Sequence, residues 1–331
     1  MEDTEFLNKL FAVLDSESVY SDFLLESDGP VMVRGYDGWV NAPLTEKPSK
    51  ETIGKFIETL DPLWEDTIKK SAINRPLSLQ TCRLRVNAYM ACGGMKLMAS
   101  IRRIPKTPPT IQQLGLPNGI RLLLENPKGI ILISGATGAG KTTTMASMVD
   151  MINDMRRAHI VTVEDPIEYV FERKNSVFSQ REVGMDCASF AEGVKDAMRQ
   201  RPNVIVIGEI RDRETAEQAL LAGESGHLVI GTFHASSACG TISKMLGFFG
   251  GDERSSKLQA LSESLVGVIN QSLIPKVSKD GYALAVDFLA TKDKLILLRE
   301  IYPLQLRLGF TSGSESTFYG TTRILFCIFL W

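Results

Sequence analysis

Residues 135–142 limit the possible folds of this chain more strongly than any other segment. Its sequence, GATGAGKT, fits the pattern G-x-x-x-x-G-K-[ST] at every fixed position. An apolar, strand-like run at 130–134 precedes it, and a helical pattern follows it. Glycines let backbone N–H groups converge on phosphate oxygens, and the N-terminus of the following helix adds about half a positive charge. The sequence therefore predicts a strand, a phosphate-binding loop and a helix in direct succession.

This loop predicts a nucleotide site rather than a glycine-rich turn that matches the pattern by chance, because both flanking elements are present. Lys141 is expected to reach the β- and γ-phosphates, and Thr142 to ligate Mg²⁺. The predicted ligands are therefore ATP and Mg²⁺. The residues predicted to bind the nucleotide are Gly135, Ala136, Thr137, Gly138, Ala139, Gly140, Lys141, Thr142 and Thr143.

Short, nearly continuous apolar runs set the architecture around the loop. Such runs are typical of strands buried on both faces of a mostly parallel sheet. Alternation with helical stretches predicts an α/β domain. The apolar runs lie at 130–133, 160–163, 204–207 and 228–230, and the predicted helices lie at 141–153, 189–200 and 213–222. Gly223 is expected to end the last of these, and a further amphipathic helix is predicted to carry Leu258, Leu261, Leu265, Val268 and Ile269.

The first hundred residues follow a different pattern. Apolar and polar residues alternate at period two over 82–90, and shorter strand-like stretches at 31–33 and 39–40 flank a glycine-containing turn. One helix is predicted over 50–70. Three prolines between 103 and 110 predict a linker. We therefore predict a small α+β domain at 1–103, a linker at 104–110, the ATP-binding α/β domain at 111–300 and an atypical tail at 301–331.

Composition excludes several classes of protein. The 331 residues carry a net charge of −2, which excludes a strongly basic protein that coats nucleic acid by charge alone. The five cysteines are scattered and never form a C-x-x-C pair, so neither a zinc site nor a disulfide framework is expected. The N-terminus lacks the order of a signal peptide, and no apolar run approaches the ~20 residues of a membrane span. The chain is expected to be soluble and cytoplasmic.

Polar residues that follow three of the predicted strands form the rest of the candidate site. Glu164 and Asp165 follow the run at 160–163, Glu209 follows the run at 204–207, and His234 ends the next strand. In α/β sheets the carboxyl ends of the strands face the crevice where ligands bind. We predict Thr142, Glu209 and Asp165 as Mg²⁺ ligands, with a further carboxylate that orients the attacking water. The alternative is that these carboxylates are solvated helix N-caps.

Four ordered motifs in this region resemble those of the type II/type IV secretion ATPases. GATGAGKTT at 135–143, TVEDPIE at 162–168, GEIRD at 208–212 and GHLVIGTFH at 226–234 are similar to their Walker A, Asp box, Walker B and His box. The nearest branch comprises the PilT-type pilus-retraction ATPases and their relatives in conjugation and type IVB secretion. QREVG at 180–184 also resembles family sequence.

This resemblance implies a hexameric ring in which a PAS-like N-terminal domain precedes a RecA-like ATPase domain. It implies that Glu164 or Glu209 is the catalytic carboxylate, and that His234 senses the γ-phosphate. Arg83 and Arg85 share one face of a predicted hairpin and are expected to act on the nucleotide; the alternative is that both are solvated. An arginine set against the transition-state charge can accelerate phosphoryl transfer by about 10³–10⁵.

The same resemblance implies a motor that converts ATP hydrolysis into domain motion in a pilus, secretion or conjugation system. Its expected partners are identical subunits and inner-membrane platform or secretion-channel proteins, which would place it at the inner membrane; no sequence-specific nucleic-acid binding is expected. The family pattern ends near Glu300, and 324–331 is an apolar run. We interpret this tail as docked on the body or as the out-of-frame end of a truncated gene. A catalytically weak, nucleotide-bound interaction protein and a P-loop phosphotransferase remain alternative functions.

Overall fold

The chain folds into two compact units. The computed structural model describes residues 2–16, 20–35, 38–117, 119–277, 281–291 and 321–327. The N-terminal unit ends at Thr107 and the C-terminal unit begins at Pro108. This boundary lies inside the proline-containing stretch. No helix in the described ranges is long and apolar enough to cross a membrane.

The N-terminal unit is a six-stranded antiparallel sheet with helices packed on one face. Along β5, the alternate residues Cys82, Leu84, Val86 and Ala88 are completely buried, whereas Arg83 and Arg85 point to the other face. The sheet order is β3-β2-β1-β6-β5-β4. This confirms the predicted α+β fold. Its elements are α1 (Glu2–Asp15), β1 (Asp22–Glu26), β2 (Met32–Gly35), β3 (Gly38–Asn41), α2 (Lys50–Glu58), α3 (Trp64–Ile68), β4 (Ile73–Ser78), β5 (Cys82–Ala91) and β6 (Lys96–Pro105).

The C-terminal unit is an α/β domain built on an eight-stranded sheet. Its helices are α4 (Ile120–Leu124), α5 (Lys141–Met155), α6 (Phe190–Ala197), α7 (Arg213–Glu224), α8 (Ala238–Leu246) and α9 (Glu253–Ser264). Its strands are β7 (Gly129–Ser134), β8 (His159–Glu164), β9 (Val177–Glu182), β10 (Val204–Ile207), β11 (Leu228–Phe233), β12 (Leu265–Pro275), β13 (Tyr282–Thr291) and β14 (Thr321–Cys327). The strand order is β14-β13-β12-β7-β11-β10-β8-β9.

The six strands from β12 to β9 run parallel, and the central strands β7, β8, β10 and β11 are covered on both faces. Ile131 and Ile133 of β7 pack with α4 and α5 on one face, while Ile130 and Leu132 pack with the helices α6 to α9 on the other. The continuous apolar runs in the sequence therefore correspond to strands buried on both sides, as predicted. β13 and β14 extend the sheet in antiparallel pairs.

Two predicted helix boundaries are wrong. The helix predicted over 50–70 is divided into α2 and α3, and Pro62 lies between them. A proline disfavours helical backbone in the preceding residue, which explains the break. α7 does not end at Gly223 but continues to Glu224. Gly223 instead permits close packing, because a Cβ there would lie 2.6 Å from the Ile130 side chain.

The predicted amphipathic helix carrying five apolar residues is also wrong in its second half. α9 contains Leu258 and Leu261, but Leu265, Val268 and Ile269 belong to β12. Branched residues at 266, 268 and 269 favour extended backbone, and every residue from Leu265 to Gln271 is buried between two neighbouring strands. The helix α1 was not anticipated from the sequence.

The two ends of the predicted ATPase region also differ from expectation. β6 continues to Pro105, so its end occupies the first residues of the predicted linker, where Pro105 lies opposite Cys82 at the end of the ladder. Within the predicted tail, residues 321–327 form β14 and pair with β13. The remaining tail residues, 301–320 and 328–331, lie outside the described part of the chain.

The core of the N-terminal unit predicts a large difference between two identical substitutions. Leu84 is completely buried, whereas Leu63 is 72% exposed. Leu84→Ala is expected to destabilise the unit by about 3–5 kcal/mol because it removes buried methyl groups and leaves a cavity. Leu63→Ala should change stability by less than about 0.5 kcal/mol. Urea unfolding followed by tryptophan fluorescence measures both, since Trp39 and Trp64 lie in this unit; equal effects would contradict the assigned core.

Candidate functional site

The loop between β7 and α5 has a backbone that only glycine supports at several positions. Gly138 and Gly140 have φ values of +78° and +82°, in the left-handed region. At Gly135 the limit is steric, because a Cβ would lie 2.3 Å from the backbone oxygen of Gln271. The glycines in the predicted loop therefore serve its shape and its close contact with β12.

The first turn of α5 is suited to bind an anion. Gly140 is its N-cap, and among the described residues no side chain caps this helix. By contrast, the side chains of Ser189, Asp212 and Ser237 cap α6, α7 and α8. The first N–H groups of a helix have no partner within the helix, and its dipole favours negative charge there. The loop and the helix N-terminus therefore fit the phosphates of a nucleotide.

Lys141 lies inside the loop. Its Nζ donates hydrogen bonds to the carbonyl oxygens of Gly135, at 3.0 Å, and Ala136, at 2.9 Å. Burial lowers the pKa of Lys141, and the nearby carboxylate of Glu209 opposes this shift. The ammonium group thus contacts the first two residues of the predicted phosphate-binding loop.

Two of the predicted strand-end residues contact each other beside this lysine. The Nε2 atom of His234 is 3.1 Å from Oε1 of Glu209, and its Nδ1 atom is 3.5 Å from Nζ of Lys141. An ammonium group only donates hydrogen bonds, so Nδ1 must accept. In this tautomer Nε2 carries the hydrogen and donates a hydrogen bond to Oε1 of Glu209. The structure therefore brings Lys141, Glu209 and His234 together as one hydrogen-bonded chain.

Glu164 occupies a different environment from Glu209. It is 5% exposed, and its Oε1 accepts hydrogen bonds from Oγ1 of Thr162, at 2.7 Å, and Nε2 of Gln180, at 3.4 Å. Burial raises the pKa of Glu164 to about 7, although both hydrogen bonds act in the opposite direction. The carboxylate lines a small pocket that Thr142 of the phosphate loop also lines.

Two residues around this pocket were not identified as site residues from the sequence. Tyr169 is buried and lines the pocket, and burial raises the pKa of its hydroxyl. Gln180 joins Glu164 to the backbone of Tyr169 and Phe171. Gln180 could have been identified from its position at the start of the QREVG motif. Nothing in the sequence distinguishes Tyr169, because an aromatic residue at that position is equally consistent with ordinary core packing.

The remaining predicted residues are less closely grouped. Asp165 is exposed, and within the described residues no group of three or more His, Cys, Asp or Glu side chains could hold a metal ion. A magnesium ion in a nucleotide site takes most of its ligands from water and phosphate, with one or two carboxylates from the protein. Arg83 and Arg85 lie on β5 of the N-terminal unit. Their action on the nucleotide stays a prediction.

The burial of Glu164 predicts a pH-dependent effect on stability. Its pKa in the folded protein lies above 4.5, the ordinary value for a glutamate, so the folded protein binds the proton more tightly than the unfolded chain does. The stability this group provides is full below about pH 4.5 and is lost as pH rises through 7. Glu164→Gln should therefore gain stability relative to wild type between pH 5 and pH 8, by about 3 kcal/mol at most. Thermal unfolding in the presence of EDTA, at several pH values, measures this difference in stability between the variant and wild type.

Glu172→Gln provides the matched control for that experiment, because Glu172 is exposed and lies in the same segment. Its difference from wild type should stay constant across the same range of pH. A constant difference for Glu164→Gln as well would contradict a buried, protonatable carboxylate.

Comparison with known proteins identifies this arrangement. A sequence model of the family described as "Type II/IV secretion system protein" matches residues 71–323, which extends past the point near Glu300 where we expected the family pattern to end. The type IV pilus retraction ATPase PilT of Pseudomonas aeruginosa is 39% identical over 233 residues, covering 70% of this chain and 67% of its own.

Solved structures show the same fold. The pilus retraction motor PilT with bound ADP superposes with a TM-score of 0.77 at 33% identity, covering 90% of this chain and 88% of its own. The Legionella pneumophila ATPase DotB gives a TM-score of 0.77 at 28% identity, covering 89% and 83%. The two units therefore have the predicted PAS-like and RecA-like folds, and the chain belongs to the type II/IV secretion system family of ATPases.

Proposed function

We propose that this protein is the ATP-hydrolysing motor of a type IV pilus, type IV secretion or conjugative transfer system. The observation that carries the proposal is the meeting of Lys141, Glu209 and His234 at the mouth of the phosphate loop. A retraction motor, PilT, is among its relatives, and its family is named for type II and type IV secretion. We further propose that it works in the cytoplasm, held at the inner membrane by partner proteins.

The substrate is ATP with Mg²⁺. The loop and the uncapped N-terminus of α5 bind the phosphates, and Lys141 exchanges its contacts with loop carbonyls for contacts with the β- and γ-phosphates. Thr142, Glu209 and Asp165 are the residues that would hold Mg²⁺. The ion would neutralise charge that develops on the phosphate oxygens.

Hydrolysis requires a group that orients the attacking water. Glu164 and Glu209 are both candidates. Glu209 is partly exposed and hydrogen-bonded to His234, so it reaches a water molecule at the γ-phosphate more directly. Glu164, whose pKa is raised to about 7, is only partly ionised near neutral pH, and it lines the pocket that Thr142 also lines. His234, held between Lys141 and Glu209, is placed to respond to the presence of the γ-phosphate.

We propose that Arg83 and Arg85 contribute positive charge to the transition state within a hexameric ring. Atoms Nε and Nη1 of Arg83 are shielded from solvent and have no hydrogen-bond partner among the described residues. A guanidinium in that state is stabilised by an anion, which supports a role towards phosphate. The ring has an N-terminal unit and an ATPase unit in each subunit.

Removal of the loop lysine tests the ATP site. Lys141→Ala is expected to lower the ATPase rate by at least about 100-fold, because a preorganised positive group at the transferred phosphate is lost. Lys128→Ala, at an exposed lysine before β7, is the matched control and should retain the wild-type rate. A phosphate-release assay measures both, and an active Lys141→Ala protein would contradict the assigned site.

The dependence of rate on protein concentration tests the ring. ATPase activity per subunit should rise with concentration and reach a plateau once hexamers form, as followed by analytical ultracentrifugation. Full activity in a monomer would contradict the ring. Normal ATP binding without hydrolysis at any concentration would favour the alternative function, a nucleotide-bound interaction protein. If ATP were consumed only when an acceptor molecule was present and received the phosphate, the result would favour a phosphotransferase.

A further inference from the structure

The strand β12 lies directly beside the start of the phosphate loop. It pairs in parallel with β7, and Asn270 is in register with Ser134, the last residue before the loop. The backbone oxygen of the next residue, Gln271, approaches Gly135 so closely that no Cβ could be accommodated there. β12 is therefore in contact with the loop where the loop begins.

Two consecutive side chains of β12 also form hydrogen bonds around the loop. Nδ2 of Asn270 donates to Oγ of Ser134, at 2.9 Å, and to the carbonyl oxygen of Ala235, at 3.0 Å. Nε2 of Gln271 donates to the carbonyl oxygen of Ala139, at 2.6 Å. Both residues are buried, Gln271 almost completely. The loop is thus held at its start by one amide and near its end by the other.

The bond to Ala139 controls the direction of a neighbouring N–H group. The peptide that joins Ala139 to Gly140 is trans, so its C=O and N–H point in opposite directions. When Gln271 holds the carbonyl of Ala139, the N–H of Gly140 must point away from β12. Backbone N–H groups of this loop are the groups that bind phosphate.

We propose that Gln271 is a positioning residue that orients the peptide between Ala139 and Gly140 so that its N–H group faces the nucleotide phosphates. This proposal rests on one part of the proposed function, namely that the loop binds a nucleotide. Gln271 does not touch the nucleotide itself. Asn270 supports it by fixing Ser134 to the segment that follows His234.

The state of the Gln271 side chain separates this role from ordinary core packing. Its Oε1 atom is buried and has no hydrogen-bond partner among the described residues. A buried polar atom without a partner is unfavourable, so an apolar residue of the same size would suit a merely structural position better. The presence of an amide at this position is explained by its N–H donor, which forms a hydrogen bond with the carbonyl oxygen of Ala139.

Binding of MgADP tests the proposal. Gln271→Met keeps the length of the side chain and removes the donor, so the peptide can rotate; the Kd of MgADP measured by calorimetry should rise about 3- to 10-fold, the range expected for one hydrogen bond. The KM for ATP should rise to a similar extent with kcat within about 2-fold, because the interaction acts on bound substrate and transition state alike. Gln259→Met, at an exposed glutamine of α9, is the matched control and should bind like wild type.

Gln271→Glu gives a second, independent variant, because a carboxylate can only accept hydrogen bonds and cannot hold the carbonyl of Ala139. It should raise the Kd by more than about 10-fold. Wild-type Kd values in both variants would overturn the proposal, and so would a reduced number of binding sites with an unchanged Kd, which would show a role in folding only. A wild-type protein that binds MgADP but does not hydrolyse ATP would contradict the proposed function and leave this test intact.

Discussion

The C-terminal unit is organised around the turn from β7 into α5. A loop that presents its backbone N–H groups to one anion needs left-handed residues and close contact with its neighbours, and both conditions require glycine at Gly135, Gly138 and Gly140. The loop must also be held by something rigid. β7 supplies this, because it is buried on both faces and lies between β11 and β12.

The position of β7 in the sheet decides which residues reach the loop. Parallel strands end at a common edge, so the strand beside β7 on one side delivers His234, and the strand beyond it delivers Glu209. The strand on the other side delivers Gln271. These three strands therefore each contribute a polar group: Glu209 and His234 directly follow the ends of β10 and β11, whereas Gln271 lies within β12.

Burial shifts the ionisation of the two most buried charged residues of the site in opposite directions. It lowers the pKa of Lys141 and raises that of Glu164, because a low-dielectric environment disfavours both charged forms. Such desolvation is unfavourable for the isolated protein. Nucleotide phosphates would compensate for the burial of Lys141, which explains why an ammonium group lies inside a loop of backbone carbonyls. The fold of this unit is shared by the pilus motor PilT and the ATPase DotB, so the machine that it drives depends on surfaces outside this site.

Several parts of this protein can be predicted from local patterns in its sequence. The phosphate loop, the doubly buried strands and the polar residues at their ends follow from glycine spacing, short apolar runs and the position of Glu164, Glu209 and His234 after those runs. Each of these signals is contained within a few consecutive residues.

Other features depend on contacts between residues far apart in the chain, and these contacts exist only in the folded protein. The spacing of apolar residues from Leu258 to Ile269 fits a helix. The residues from Leu265 onwards instead form the strand β12, which pairs with the edge of β7 opposite β11. The burial of Glu164 and the contact of Gln271 with Ala139 were likewise absent from the pattern. The physical reason is that burial and hydrogen-bond partners are set by which strands become neighbours, and that pairing is a property of the whole sheet.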